Sequence, residues 1–195
     1  MYHTASVLTN GKVLVAGGLG SGYPEVANLY DPSTGHWIRA GVMNDPRIWH
    51  TASVLMNGEV LVAGGYEDPI LHSAEMYNQS TGLWTSTGIM KDARDWHTAS
   101  MLLNGKILVT GGYSGHNMTS LNSSELYDPS TEHWTTTDRM NHGRLYHTAS
   151  VLTDGNVLVT GGLLNKIFLN SAELYDPAVE TSATIDKMNK AQSHD

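Results

Sequence analysis

Four histidines recur in one tetrapeptide, and the residues around them carry most of the chemistry this chain can offer. His3, His50, His97 and His147 each open a His-Thr-Ala-Ser run, at intervals of 47, 47 and 50 residues. Each is preceded by an aromatic residue, Tyr2, Trp49, Trp96 or Tyr146. Three of them follow an arginine by three positions: Arg47, Arg94 and Arg144. Imidazole is the commonest metal ligand, so four histidines brought to one axis would suit a transition metal. The reading preferred here is a hydrogen-bonding spacer in every unit, with no metal and no cofactor. The arginines either tie a loop to backbone carbonyls of a neighbouring unit or form a ring that grips an acidic ligand. The aromatic side chains can stack on a sugar ring, a peptide proline or another planar group, or pack partly buried. The candidate ligand contacts are therefore Tyr2, Trp49, Trp96 and Tyr146, with Arg47, Arg94 and Arg144. No residue is singled out as catalytic. The sequence holds no phosphate cradle, no carboxylate pair at defined spacing and no Ser–His–Asp set.

The elements that must position these side chains repeat with them. After each tetrapeptide come an apolar pair, an Asn-Gly or Asp-Gly, an apolar run and a double glycine (Gly17-Gly18, Gly64-Gly65, Gly111-Gly112, Gly161-Gly162). A tyrosine follows in each copy: Tyr30, Tyr77, Tyr127, Tyr175. Seven residues later stands Trp37, Trp84 or Trp134, with Ser182 in the fourth copy. Six residues beyond that stands Met43, Met90, Met140 or Met188. The chain divides into 1–47, 48–94, 95–144 and 145–195, read as one domain of four repeated units. Each unit reads as four short strands. Asn10-Gly11 predicts a two-residue type I′ hairpin between the first two. Val13-Leu14-Val15-Ala16 reads as a strand buried on both faces. Asp31-Pro32-Ser33-Thr34-Gly35 is a turn before a fourth strand at Trp37. Helical periodicity is absent.

Composition narrows the classes. The chain has 195 residues, no Cys, 20 Gly and a formal net charge of −8. Without Cys there are no disulfides, thiol chemistry or Cys-ligated metals. The negative charge argues against nucleic acid as a partner, since such proteins carry basic footprints. No run approaches the roughly 20 apolar residues of a membrane helix, so no membrane partner is expected. Met1-Tyr2-His3-Thr4 does not open a signal peptide.

Four-stranded antiparallel units repeating every ~50 residues are the blades of a β-propeller. The sequence resembles the kelch-repeat family over essentially its whole length. The double glycine, the Tyr, the Trp at fixed spacing and the Arg and His ahead of the next unit carry the likeness. The resemblance implies an all-β, kelch-type β-propeller of four four-stranded antiparallel blades, with the first strand of each blade innermost. It also implies a binding surface on the loops after the double glycines and between blades. The expected function is a non-catalytic interaction module or scaffold for a protein, peptide or glycan. The chain could instead be a structural, self-associating repeat unit, a fragment or half of a larger propeller. A third alternative is a sugar mutarotase-like enzyme. The copper-radical oxidases of this fold need a Cys, which is absent. Ring closure stays open: four units could close alone, pair with a second chain into eight, or belong to a longer array. The fourth unit is atypical, with Ser182 for Trp, Gln192 for Arg and Asp195 at the His position. Its fourth strand, near Thr181 to Ile185, is expected to be the weakest.

Overall fold

A computed structural model describes residues 1–20, 25–115, 119–185 and 188. The positions of Gln192 and Asp195, and part of the loops after the first and third double glycines, lie outside these. Among the described residues every regular element is a strand. The first sheet holds β1 (Thr4–Val7), β2 (Val13–Ala16), β3 (Val26–Asp31) and β4 (His36–Val42). The second holds β5 (Thr51–Val54), β6 (Val60–Ala63), β7 (Ala74–Asn78) and β8 (Leu83–Ser86). In the third, β9 (Thr98–Met101) and β10 (Ile107–Thr110) are followed by a small hairpin of β11 (Tyr113–Ser114) and β12 (Thr119–Ser120). The sheet then continues with β13 (Ser124–Asp128) and β14 (His133–Thr136). The fourth repeats this with β15 (Thr148–Val151), β16 (Val157–Thr160), the hairpin β17 (Leu163–Leu164) and β18 (Ile167–Phe168), β19 (Ala172–Asp176) and β20 (Thr181–Ile185). All four large sheets are antiparallel meanders in chain order.

The first hairpin differs from the expected two-residue turn. Among Thr9, Asn10 and Gly11 only the glycine has positive φ, +81°. Leu8 and Lys12 close the loop through Leu8 N–H to Lys12 O at 2.8 Å, and Gly11 N–H donates to Leu8 O at 2.9 Å. The loop therefore has three residues, with glycine in the left-handed position. Asn10 contributes its side chain instead: Oδ1 accepts the Lys12 N–H at 3.0 Å. The double glycines have a packing reason. A Cβ on Gly64 (φ +62°) would sit 2.5 Å from Arg94 O, and one on Gly65 (φ +98°) 2.6 Å from Ile48 O. Backbone from two linkers passes where any side chain would stand.

Successive first strands lie against one another, β1 on β5, β5 on β9 and β9 on β15. The core lies between sheets, in three clusters. Leu8, Leu14, Leu29 and Met43 of the first sheet and its linker meet Val60, Val62 and Tyr77 of the second. Leu55, Leu61, Met76 and Met90 meet Ile107, Val109 and Tyr127. Leu102, Leu108, Leu126 and Met140 meet Val157, Val159 and Tyr175. Each unit thus offers a Val/Tyr/Trp face to the unit before it and a Leu/Met face to the unit after it. A strand between two neighbours is buried on both sides, as β6 and β10 are throughout. The prediction fails for β2, where Val13 and Val15 are only half-buried, because no other sheet among the described residues packs on the first sheet's leading face. The tryptophans follow the same rule. Trp84 and Trp134 sit in the junctions, their Nε1–H groups donating to Ala40 O and Gly88 O of the preceding unit at 2.8 Å. Trp37 lies on Tyr30, ring centroids 5.2 Å apart, and is 58% exposed.

Candidate functional site: an aromatic row beside the inner strands

The four aromatic residues that precede the histidines are brought together in one continuous row. Ring centroids are 5.0 Å apart for Tyr2 and Trp49, 4.7 Å for Trp49 and Trp96, and 4.8 Å for Trp96 and Tyr146, all tilted. Tyr66 and Tyr113, each directly after a double glycine, extend it sideways, 5.8 Å from Trp49 and 5.7 Å from Trp96. Tyr2 is exposed and the other three row members half-buried. All four row residues have left-handed backbone, with φ of 66°, 55°, 51° and 55°. That conformation is costly for a bulky side chain, by about 1 kcal/mol or more each. At Trp49, Trp96 and Tyr146 the linker has to turn sharply between the buried arginine and the buried histidine, and the turn directs the aromatic residue outwards.

The arginines do not face a ligand. Arg47, Arg94 and Arg144 are at most 1% exposed, which corrects their assignment as ligand contacts. Each fork is consumed inside a junction. Arg94 Nη1 donates to Gly111 O at 2.7 Å and Ser123 O at 3.2 Å. Its Nη2 donates to Ser123 Oγ at 3.3 Å and Glu125 Oε1 at 2.8 Å. Arg47 makes the same set with Gly64, Ser73 and Glu75, and Arg144 with Gly161, Ser171 and Glu173. The acid is held in turn: Glu125 accepts Lys91 N–H at 2.8 Å and Asp92 N–H at 3.1 Å. So the tie to backbone carbonyls is present, with a buried carboxylate that the sequence reading missed. The available signal was a Glu two residues before Tyr77, Tyr127 and Tyr175, replaced by Asn28 before Tyr30.

The histidines are spacers between inner strands. Nε2 of His50, His97 and His147 shares a hydrogen bond with Thr4, Thr51 and Thr98 Oγ1 at 2.8, 2.9 and 3.0 Å. Burial, helped by the neighbouring arginine charge, lowers His50 and His147 to about 3 and His97 well below its usual value. All three are neutral at physiological pH. Among the described residues no three His, Asp or Glu side chains are grouped to hold a metal ion.

One residue beside the row breaks the pattern. Ile48 and Leu145 are buried apolar residues whose backbones pair with Tyr66 and Leu163. The equivalent position between Arg94 and Trp96 is Asp95, 1% exposed and paired with Tyr113. Its Oδ1 is buried with no hydrogen-bond partner, and burial pushes its carboxyl up to about 7. Next to it a cleft of about 550 Å³ opens between the second and third units, lined by Tyr66, Ile70, Ala93, Tyr113 and Ser114 among others. The single Asp was legible only as an exception within an Ile/Asp/Leu set. An unpaired buried acid is destabilising, so Asp95→Leu, which installs the residue of the sister unit, should raise stability by about 1–2 kcal/mol. Thermal melts at neutral pH check this; a lower melting temperature would show that the carboxyl has a stabilising partner.

Comparison with known proteins agrees with this arrangement. Residues 50–91 and 97–141 match the model of the Kelch motif. No curated protein matches the sequence. Among solved structures the chain is similar to that of YjhT, with a TM-score of 0.78 and 16% sequence identity, over 98% of this chain and 67% of that one. The second and third units thus each match the Kelch motif, and the chain has a propeller-like fold.

Proposed function

We propose that the protein is a non-catalytic binding module, a kelch-type β-propeller domain spanning 1–195 with blades 1–47, 48–94, 95–144 and 145–195. Its ligand is a protein segment, peptide or glycan that lays a flat face on the aromatic row. The observation that carries this reading is the row itself: Tyr2, Trp49, Trp96 and Tyr146 in contact, each held in left-handed backbone at the molecular surface. Backbone strain kept in every unit is a marker of function. Rigid aromatics with few rotamers are efficient contact residues, since little entropy is lost when they are covered. The loops after the double glycines flank the row through Tyr66 and Tyr113 and differ from unit to unit, which suits them to selecting the ligand.

The test is binding to a glycan array and a proline-containing peptide array by the wild type and by Trp49→Gly and Trp96→Gly. Glycine tolerates the left-handed backbone, so the linker keeps its path. Each replacement should weaken the best ligand by about 2 kcal/mol, roughly 30-fold, with the far-UV spectrum unchanged. Equal retention by wild type and both variants would sink the proposal.

A further inference from the structure

The rings of the row attract positive charge, and the charged groups around it do the same. An aromatic ring is negative over its faces and positive at its edge, so a cation is drawn to the face. The row and its two flanking tyrosines meet at angles of 42° to 53°. No ring is therefore covered face to face by its neighbour, as it would be in a parallel stack. Tyr66, 5.8 Å from Trp49, is followed at once by Glu67 and Asp68, both exposed. Neither carboxylate forms an ion pair among the described residues. Asp68 lines the cleft of about 550 Å³ shared by Tyr66 and Tyr113. It also lines a second, of about 280 Å³, with Leu19, Ile48 and Glu67. The arginines of the linkers are already neutralised: Arg47, Arg94 and Arg144 lie within 2.8 Å of Glu75, Glu125 and Glu173. The row itself registers negative charge, since burial and then the charge of Asp95 push the Tyr146 hydroxyl up. The chain as a whole carries a formal net charge of −8.

We propose that the group received by the row is a basic side chain, an arginine or lysine on an extended segment of a partner protein, laid over Trp49 and Trp96 with Glu67 and Asp68 beside it. This rests on the reading of the row as a binding surface and names the chemistry that fills it. Two features favour a basic peptide over a glycan. Most sugar rings are neutral, and the common charged ones are acidic, so two unpaired carboxylates would add nothing for the former and repel the latter. The row is also elongated. Its three centroid steps of 4.7–5.0 Å match about four residues of extended chain at roughly 3.3 Å each. Arginine fits better than lysine, because a planar guanidinium can lie flat on an indole while its edge donates to a carboxylate. Glu67 and Asp68 also steer a basic segment towards the row before contact, an effect that salt weakens.

The test is a peptide array in which each arginine is presented in parallel as arginine, as lysine and as citrulline, its uncharged isostere, beside a glycan array. The full chain should hold arginine peptides and bind their citrulline counterparts about 10-fold more weakly. Glu67→Gln combined with Asp68→Asn changes only exposed side chains. It should lower arginine binding by about 3- to 10-fold and leave citrulline binding unchanged. Salt at about 1 M, where the screening length falls to roughly 3 Å, should remove most of that difference. Suppose citrulline peptides or glycans are held as tightly as arginine peptides, and Trp49→Gly and Trp96→Gly release them. The cation is then overturned while the row stands as a binding surface. If arginine peptides are held equally by the wild type and both tryptophan variants, the binding surface falls as well. Retention of no arginine peptide overturns the inference, and so does an arginine affinity unchanged by the loss of both carboxylates.

Discussion

Glu125→Ala is expected to cost about 3–5 kcal/mol, enough to unfold a typical domain of this size or bring it close to unfolding. Glu125 is 1% exposed and Arg94 fully buried, with Nη2 to Oε1 at 2.8 Å. Removing the carboxylate leaves the guanidinium in the interior with carbonyl and hydroxyl partners and, as opposite charge, the partly exposed Asp92 carboxylate at 3.9 Å. The Lys91 and Asp92 N–H groups lose their acceptor at the same moment. Burial already disfavours the charge on Arg94, and Glu125 is the largest influence opposing that. Replacing both partners, Arg94→Met with Glu125→Leu, should recover part of the loss. The charge problem disappears while the two backbone donors stay unpaired. Urea unfolding of the single and double variants gives the comparison. A single variant within 1 kcal/mol of wild type would mean that the junction relaxes and water reaches the guanidinium.

Acid should unfold the protein steeply, and the histidines set the sign. His50, His97 and His147 titrate near 6.5 when unfolded, while in the folded protein His50 and His147 are lowered to about 3 and His97 is well below its usual value. The unfolded chain therefore holds up to three more protons below pH 6.5. Stability is fully present above that pH and is lost as pH falls towards 3. Asp95 works the other way. Its raised carboxyl keeps a proton in the folded state between about 7 and 3.8 that the unfolded chain has released. Three protons against one leave a net two, or about 3 kcal/mol per pH unit. The check is unfolding free energy against pH between 7 and 4. His97→Gln, whose amide can still reach Thr51, should flatten the slope by about one proton. A flat profile in the wild type would show that water or rearrangement lets the imidazoles charge in place.

The two expectations rest on the same construction, an Arg-x-aromatic-His linker that joins one sheet to the next. Its first and last residues are consumed in packing and its third is turned outwards. The aromatic row follows from how the units are joined, through the third residue of each linker. What differs from unit to unit is confined to the post-glycine loops and to single exceptions such as Asp95.

The sequence by itself determined the four main strands of each unit and their order, because those follow from local periodicity. Alternating apolar residues, Asn-Gly and Asp-Pro turns and double glycines each act within a few positions. The recurrence of Trp at a fixed distance from Tyr marks a pair that the sheet places side by side, as Tyr77 and Trp84 are at 5.0 Å. Only the tertiary structure decided which of the repeated residues are buried in junctions and which stand in the aromatic row. The partner of Arg94 is 31 residues away, and the aromatic neighbours are 47 or 50 residues apart, joined by stacking of sheets rather than by any local rule. An arginine and a tryptophan two positions apart look equally available in a sequence. Burial inside a junction closes one, and left-handed backbone at the linker exposes the other. The same stacking explains why β2, identical in sequence to the fully buried β6, is half-buried. A strand's burial is set by having a neighbour on each side, and among the described residues the first sheet has one on its trailing side alone.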